Sequence, residues 1–382
     1  MASLNNGFNG ARLKAARLYN ELTISDVANE TGLSYQAISQ YENSKCEPKL
    51  DVVFKLVGLL GFPREYYYQN DDDKISIGDT YFRSLSSTSK KEKASQIEKV
   101  KLLVRIYLLI IEYVRFPQYS FSYNETNIDI ELLANELRRQ WKLGDEPITN
   151  IVDIMEKNGI IVSSMLTNND IDAYSNVQVF QKKQIPVVVL GSDKESAFRR
   201  QFSAAHELGH ILLDSFFDVD SMSKLDIRNM ENTMHEFAGA LLIPEKMYRK
   251  DLITKNKTNI RFYIELKKKY RVSAAALIVR AKQLGELDMN QYQYLMKQMS
   301  HQGYRTCEPY DREMPIMQPR YLKHALKLMF DSGKITKSEF LSKLGSGGCP
   351  LHPGMVEELL NLDKGYFSTN PDNDVIPLQI SV

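Results

Sequence analysis

Apolar positions recur at three- and four-residue spacing through "NIDIELLANELRRQWKL" (127–143) and "PITNIVDIMEKNG" (147–159). That spacing predicts two amphipathic helices, the second closed by Gly159. The period then changes. "IIVSSML" (160–166), "NVQVFQ" (176–181) and "IPVVVLG" (185–191) are short and β-branched, which predicts three strands. Helical spacing returns in the "HELGH" segment, in "ENTMHEFAGALLIP" (231–244) and, as a helix pair, between Phe262 and Leu287. Upstream, the most apolar run is "LLVRIYLLIIEYV", Leu102 to Val114. It is too short to span a bilayer and carries Arg105 and Glu112, so it reads as a buried packing helix that Pro117 ends. Residues 1–70 read as short helices with tight turns. After residue 288, "YLKHALKLMFDSGKITKSEFLSKLG" reads as two helices and "GSGGCPLHPG" as a loop.

These patterns predict a multidomain chain, mainly α with an α+β part. The expected domains are a helical bundle over 1–70, a linker and connector helix over 71–118, an α+β domain with a small sheet over 119–288, and a mostly helical region over 289–382. A chain of 382 residues, 43% hydrophobic and 25% charged, suits several globular cores. The net charge of +1 leaves no strong overall field, so a nucleic-acid site has to be a local patch. Three widely spaced cysteines, Cys46, Cys307 and Cys349, fit reduced thiols and a cytoplasmic setting, and the N-terminus shows no charged-then-apolar signal pattern.

The first seventy residues divide into recognisable pieces. Thr23 and Ser34 are N-cap residues, Asp26 suits a helix start, and Gly32 supplies the positive φ of a short turn. Val27, Leu33 and Ile38 would fill the core, with small Ala28 where two helices cross. This is a helix-turn-helix, whose second helix would carry Tyr35, Gln36, Ser39 and Gln40 to base edges. Arg12, Lys14, Arg17 and Lys45 are candidate phosphate contacts. Seven basic residues face seven acidic ones in this stretch, so binding to a double-stranded DNA operator would call for a homodimer or a one-sided charge layout. A small protein-binding helical module is the plainer alternative. The stretch from Arg12 to Gly61, with "YENSKCEP" after the second helix of the motif, resembles the XRE-type (Cro/repressor-type) helix-turn-helix, which implies DNA binding.

"AAHELGHILLD" holds two of the six histidines. His206 and His210 are four apart, so both imidazoles lie on one helical face and can grip one metal ion. Two nitrogen donors with an open position suit zinc, and Glu207, displaced around the helix, is placed to act as general base. An ordinary helix with two satisfied histidines is the alternative. A further ligand is available downstream, where Glu231 and His235 also stand four apart.

"FRRQFSAAHELGHILL" followed by "ENTMHEFAGALLIP" resembles the ImmA/IrrE family of zinc metallopeptidases. The resemblance implies one zinc per chain held by His206, His210 and Glu231, with Glu207 as base and His235 beside the site or towards the substrate. It implies peptide-bond hydrolysis, with His235 or a nearby Tyr stabilising the oxyanion. It spans roughly residues 10–290, including "DIDAYS", where Ala173 replaces a frequent glycine. It further implies a regulator, expected to be a repressor, whose peptidase cleaves a repressor, a toxin or antitoxin partner, or the chain itself, the protein partner being a neighbouring gene product or a second copy of the chain. A non-catalytic regulator whose peptidase-like domain senses a ligand or partner is the rival. An extended peptide is expected to add to the sheet near "IPVVVL". Cys349 and His352, with Cys307, lack a fourth ligand and read as loop residues. No membrane partner is expected.

Overall fold

The computed structural model describes residues 7–70, 76–77, 89–123, 128–167, 172–180, 183–193, 196–213, 222–253 and 256–368. The chain divides into two compact units. The first takes residues 1–74, 89–115 and 321–382, and the second takes 75–88 and 116–320.

The first unit begins with α1 (Gly10–Tyr19), α2 (Ile24–Thr31), α3 (Tyr35–Glu42), α4 (Leu50–Leu60) and a 3₁₀ turn over Arg64–Tyr68. The hydroxyl of Thr23 accepts from the Asp26 N–H at 3.1 Å, and the Asp26 carboxylate accepts from the Thr23 N–H at 2.7 Å. This reciprocal cap starts α2. Gly32 ends it at φ +69°, a conformation other residues rarely adopt, and Ser34 caps α3. Leu13, Ala16, Val27 and Ile38 seal the space between the helices.

The connector α5 (Lys90–Ile110) is opened by a Ser89/Glu92 capping box. It packs on α1, and Ser95 donates to the Tyr19 carbonyl at 2.8 Å. The C-terminal helices α14 (Tyr321–Asp331), α15 (Lys337–Ser346) and α16 (Pro353–Leu359) pack on α5 as well. Val100, Leu103, Val104, Ile106 and Ile110 are therefore fully buried, which accounts for the apolar run. Residues 289–320 fold with the second unit, and residues 321–368 complete the first.

The second unit holds β1 (Ser76–Ile77), α6 (Ile130–Gln140), α7 (Ile151–Lys157), β2 (Ile161–Met165), β3 (Ala173–Phe180), β4 (Lys183–Gly191), α8 (Ala197–Leu213) and α9 (Lys224–Leu242). α10 (Glu245–Leu252), α11 (Ile260–Tyr270), α12 (Ala274–Gln283) and α13 (Met289–His301) follow. The sheet order is β1-β3-β4-β2. β3 and β4 form an antiparallel hairpin from Ala173↔Leu190 to Phe180↔Lys183, while β2 runs parallel to β4. β4 is thus an internal strand with β3 and β2 on its two sides. This corrects the expectation that a peptide adds near "IPVVVL", because Val187–Leu190 are already paired on both sides.

α8 packs on β3 and β4, and α9 packs on α8. Gly209 makes that helix crossing close: a Cβ there would lie 2.9 Å from the Phe237 ring. Two buried arginines hold the C-terminal end of α9. Arg138 donates to the Leu241 carbonyl through Nε at 3.0 Å and Nη2 at 2.7 Å, and Arg280 Nε donates to the Ile243 carbonyl at 3.2 Å. Cations there satisfy orphan carbonyls and complement the helix dipole. Among the described residues no helix is long and apolar enough to cross a membrane.

Candidate metal centre and reading head

α8 presents His206 and His210 from successive turns, and α9 brings Glu231 across to them. His206 Nε2 lies 3.2 Å from His210 Nε2 and 3.2 Å from Glu231 Oε2. His210 Nε2 lies 3.5 Å from Glu231 Oε1. Donors on a tetrahedron around zinc at about 2.0–2.1 Å stand about 3.3–3.4 Å from one another, so these three separations fit one such ion. Glu231 Oε1 is shielded from solvent and makes no hydrogen bond, which leaves it as a donor for a cation. Among the described residues this is the single group of three His, Cys, Asp or Glu donors so gathered. Both histidines are buried.

The electrostatics agree with that donor set. Burial opposes the charge on Glu231, but the two imidazoles that face it outweigh burial and hold the carboxyl well below its usual range. Burial likewise disfavours a charged His210, yet Glu231 and Glu207 raise its pKa. His235 lies against His206 with its ring tilted by 44° and the centroids 4.4 Å apart, and it stacks on Phe202 at 6.1 Å. The residue as a whole is still exposed. Desolvation of the covered side, then His206, push its pKa down to about 4, so the imidazole is neutral near pH 7. His206 Nδ1 is buried without a hydrogen-bond partner. Packing against His235, and not the usual acceptor behind a metal-ligating imidazole, therefore orients that ring.

Glu207 is buried, and its Oε2 accepts from Ser175 Oγ at 2.6 Å. Ser175 lies on β3 and escaped the sequence reading. The signal available was a small polar residue in a strand, but only the register against α8 shows which face it takes.

The reading head is built from α2, Gly32 and α3. Tyr35, Gln36 and Gln40 on α3 are exposed, Ser39 is partly exposed, and Lys14 and Lys45 are exposed elsewhere in the unit. Arg12 and Arg17 are not where phosphate contacts would need them. Arg17 is buried: its Nε and Nη2 meet the Glu42 carboxylate at 2.5 and 2.9 Å, and Nη1 donates to the Leu22 carbonyl. Arg12 is buried over the Tyr66 ring at 4.9 Å and donates to the Asn70 carbonyl. Both guanidinium groups are spent inside the fold. Arg17→Ala is accordingly expected to destabilise the first unit by about 3–5 kcal/mol, because it strands a buried carboxylate. Hydrogen exchange of α1–α3 checks this. An unchanged exchange pattern, with the salt slope of DNA binding reduced by about one, would return Arg17 to the phosphate set.

His206 and His210 on α8 and Glu231 on α9, with the buried Glu207 carboxylate at their side and a small mixed sheet beneath α8, form a donor group of the HExxH kind that could hold one metal ion. Residues 156–282 match the family model of the IrrE N-terminal-like domain, and residues 13–67 match that of the helix-turn-helix family. The chain joins a helix-turn-helix segment of DNA-binding regulators to a peptidase-like domain. No curated protein matches the chain.

Proposed function

We propose that the protein is a DNA-binding transcriptional repressor with a fused zinc-dependent endopeptidase. The observation that carries this reading is the convergence of His206, His210 and Glu231 beside Glu207. When bound, zinc would lower the pKa of a coordinated water to about 7 and polarise a scissile carbonyl. His206, His210 and Glu231 would hold the ion. Glu207, kept in place by the Ser175 hydroxyl, takes the proton from the attacking water and passes it to the leaving amine. Neutral His235 is at hand to donate to the developing oxyanion. The substrate class is a protein partner: a neighbouring gene product or the chain itself.

For the first unit we infer a homodimer reading a two-half-site operator through Tyr35, Gln36, Ser39 and Gln40, with Lys14 and Lys45 on phosphates. The combined change Gln36→Ala with Gln40→Ala is expected to cost about 1–3 kcal/mol per lost base pair contact, or more than ~30-fold in affinity together. A mobility-shift titration with the protein's own promoter fragment measures it. Undiminished binding of that fragment would remove α3 as the reader.

A further inference from the structure

A cavity of about 280 Å³ lies along the N-terminal half of α8, where Arg199, Arg200 and Ser203 line it and His206, one turn further on, does not. Its wall includes Arg199, Arg200, Arg312, Asp172, Asp193 and Asp311. The count of charges is even, but the engagements are not. Asp311 is already satisfied: it takes Lys267 Nζ at 2.5 Å, Ser196 Oγ at 3.1 Å and the Glu308 N–H at 2.8 Å. Asp193 accepts from Thr167 at 3.0 Å.

Among the described residues the three arginines make no hydrogen bond to a carboxylate. Arg200 is 4% exposed. Its Nη1 donates to the Gly191 carbonyl at 2.5 Å, and its Nη2 to Ser164 Oγ at 2.8 Å and Gln318 Oε1 at 3.4 Å. All three acceptors are neutral, and its buried Nε has no hydrogen-bond partner. Burial draws its pKa down to about 10, which Asp193 only partly offsets. Arg199 donates to two main-chain carbonyls, those of Arg305 and Thr306. Arg312 is exposed on the rim. A buried guanidinium whose hydrogen bonds all go to neutral acceptors is costly, and an anion reaching the cavity would offset that cost.

We propose that this cavity binds a small monocarboxylate metabolite, with Arg200 and Arg312 as its counter-charges. A carboxylate matches the planar guanidinium fork that exposed Arg312 presents, while Arg200, whose Nη atoms already donate within the fold, adds its charge to the wall. Inorganic phosphate, nearer two charges at neutral pH, would be opposed more strongly by Asp172 and Asp193 in the same wall. The volume lies at the lower end of ligand sites and suits a molecule of a few carbon atoms. The proposal stands apart from the metal reading, since neither zinc nor peptide cleavage enters it.

Isothermal titration of the full chain with pyruvate, L-lactate and L-serine, and with inorganic phosphate as competitor, tests it. The expected result is saturable one-to-one binding of at least one carboxylate, tighter than phosphate. Binding should persist in His206→Ala, which separates this cavity from carboxylate capture at the metal centre. It should weaken at least about tenfold, ~1.4 kcal/mol, in Arg200→Gln and in Arg312→Gln. If Arg200→Gln does not fold, the exposed Arg312 variant carries the test. The proposal is overturned if none of the three carboxylates binds saturably, if phosphate binds more tightly than all of them, if binding is lost in His206→Ala, or if Arg312→Gln binds as the wild type does.

Discussion

Glu207→Gln is expected to keep its metal and lose cleavage by roughly 10²–10⁴-fold, the contribution typical of a positioned general base. The glutamine is nearly isosteric, so the buried packing around residue 207 survives. Its amide oxygen can still accept from Ser175 Oγ, which lies 2.6 Å from the carboxylate in the wild type. What the amide cannot do is take a proton. The comparison is made by co-expressing wild type or variant with the neighbouring gene products and following those proteins, and the chain itself, for fragments. Cleavage by the variant at the wild-type rate would remove Glu207 as base. Intact partners with both proteins would favour the reading in which the domain senses and does not cut.

Lys267→Met is expected to give the largest loss of stability in the second unit. Lys267 is fully buried, with Nζ 2.8 Å from Glu308 Oε2, 2.5 Å from Asp311 Oδ1 and 4.3 Å from the Phe198 ring centroid. Glu308 also accepts the Ala274 and Ala275 N–H groups at 2.8 and 3.2 Å, so it ties the start of α12 to the same knot. Methionine keeps the volume but leaves two buried carboxylates side by side. Breaking a buried pair from one side costs about 3–5 kcal/mol. In a unit of this size that lowers the midpoint by roughly 2–4 °C per kcal/mol. Adding Glu308→Gln and Asp311→Asn should recover part of the loss. A thermal scan showing less than about 1 kcal/mol of change for Lys267→Met would mean that the charges are not coupled as their distances require.

Local rules made much of this molecule legible. Caps at Thr23 and Ser34 and the turn at Gly32 depend on neighbours within a few residues, and the helix-turn-helix appears where they put it. Histidines four apart share a helical face whatever surrounds them, so the pair at His206 and His210 was visible too. Long-range pairing was not. "ELKKKY" looks like a solvated run, yet its first lysine is buried against carboxylates more than forty residues away. Arg17 looks like a surface cation until α3 brings Glu42 to it. "IPVVVL" gave a strand, but sheet order placed it in the interior, because β2 reaches β4 from the side opposite β3. The helices after residue 320 carry no sign that they return to α5. Ser175 needed both the strand and its register before it could be linked to Glu207.

The most direct measurement is metal content per chain, by elemental analysis of purified wild type, His206→Ala, Glu231→Ala, Glu207→Gln and His235→Ala, with helicity checked in each. Three convergent donors within 4.8 Å of one another predict one zinc in the wild type, in Glu207→Gln and in His235→Ala. They predict a near-complete loss in His206→Ala and Glu231→Ala. A wild type that binds no zinc, or a folded Glu231→Ala that keeps it, would contradict the three-ligand site.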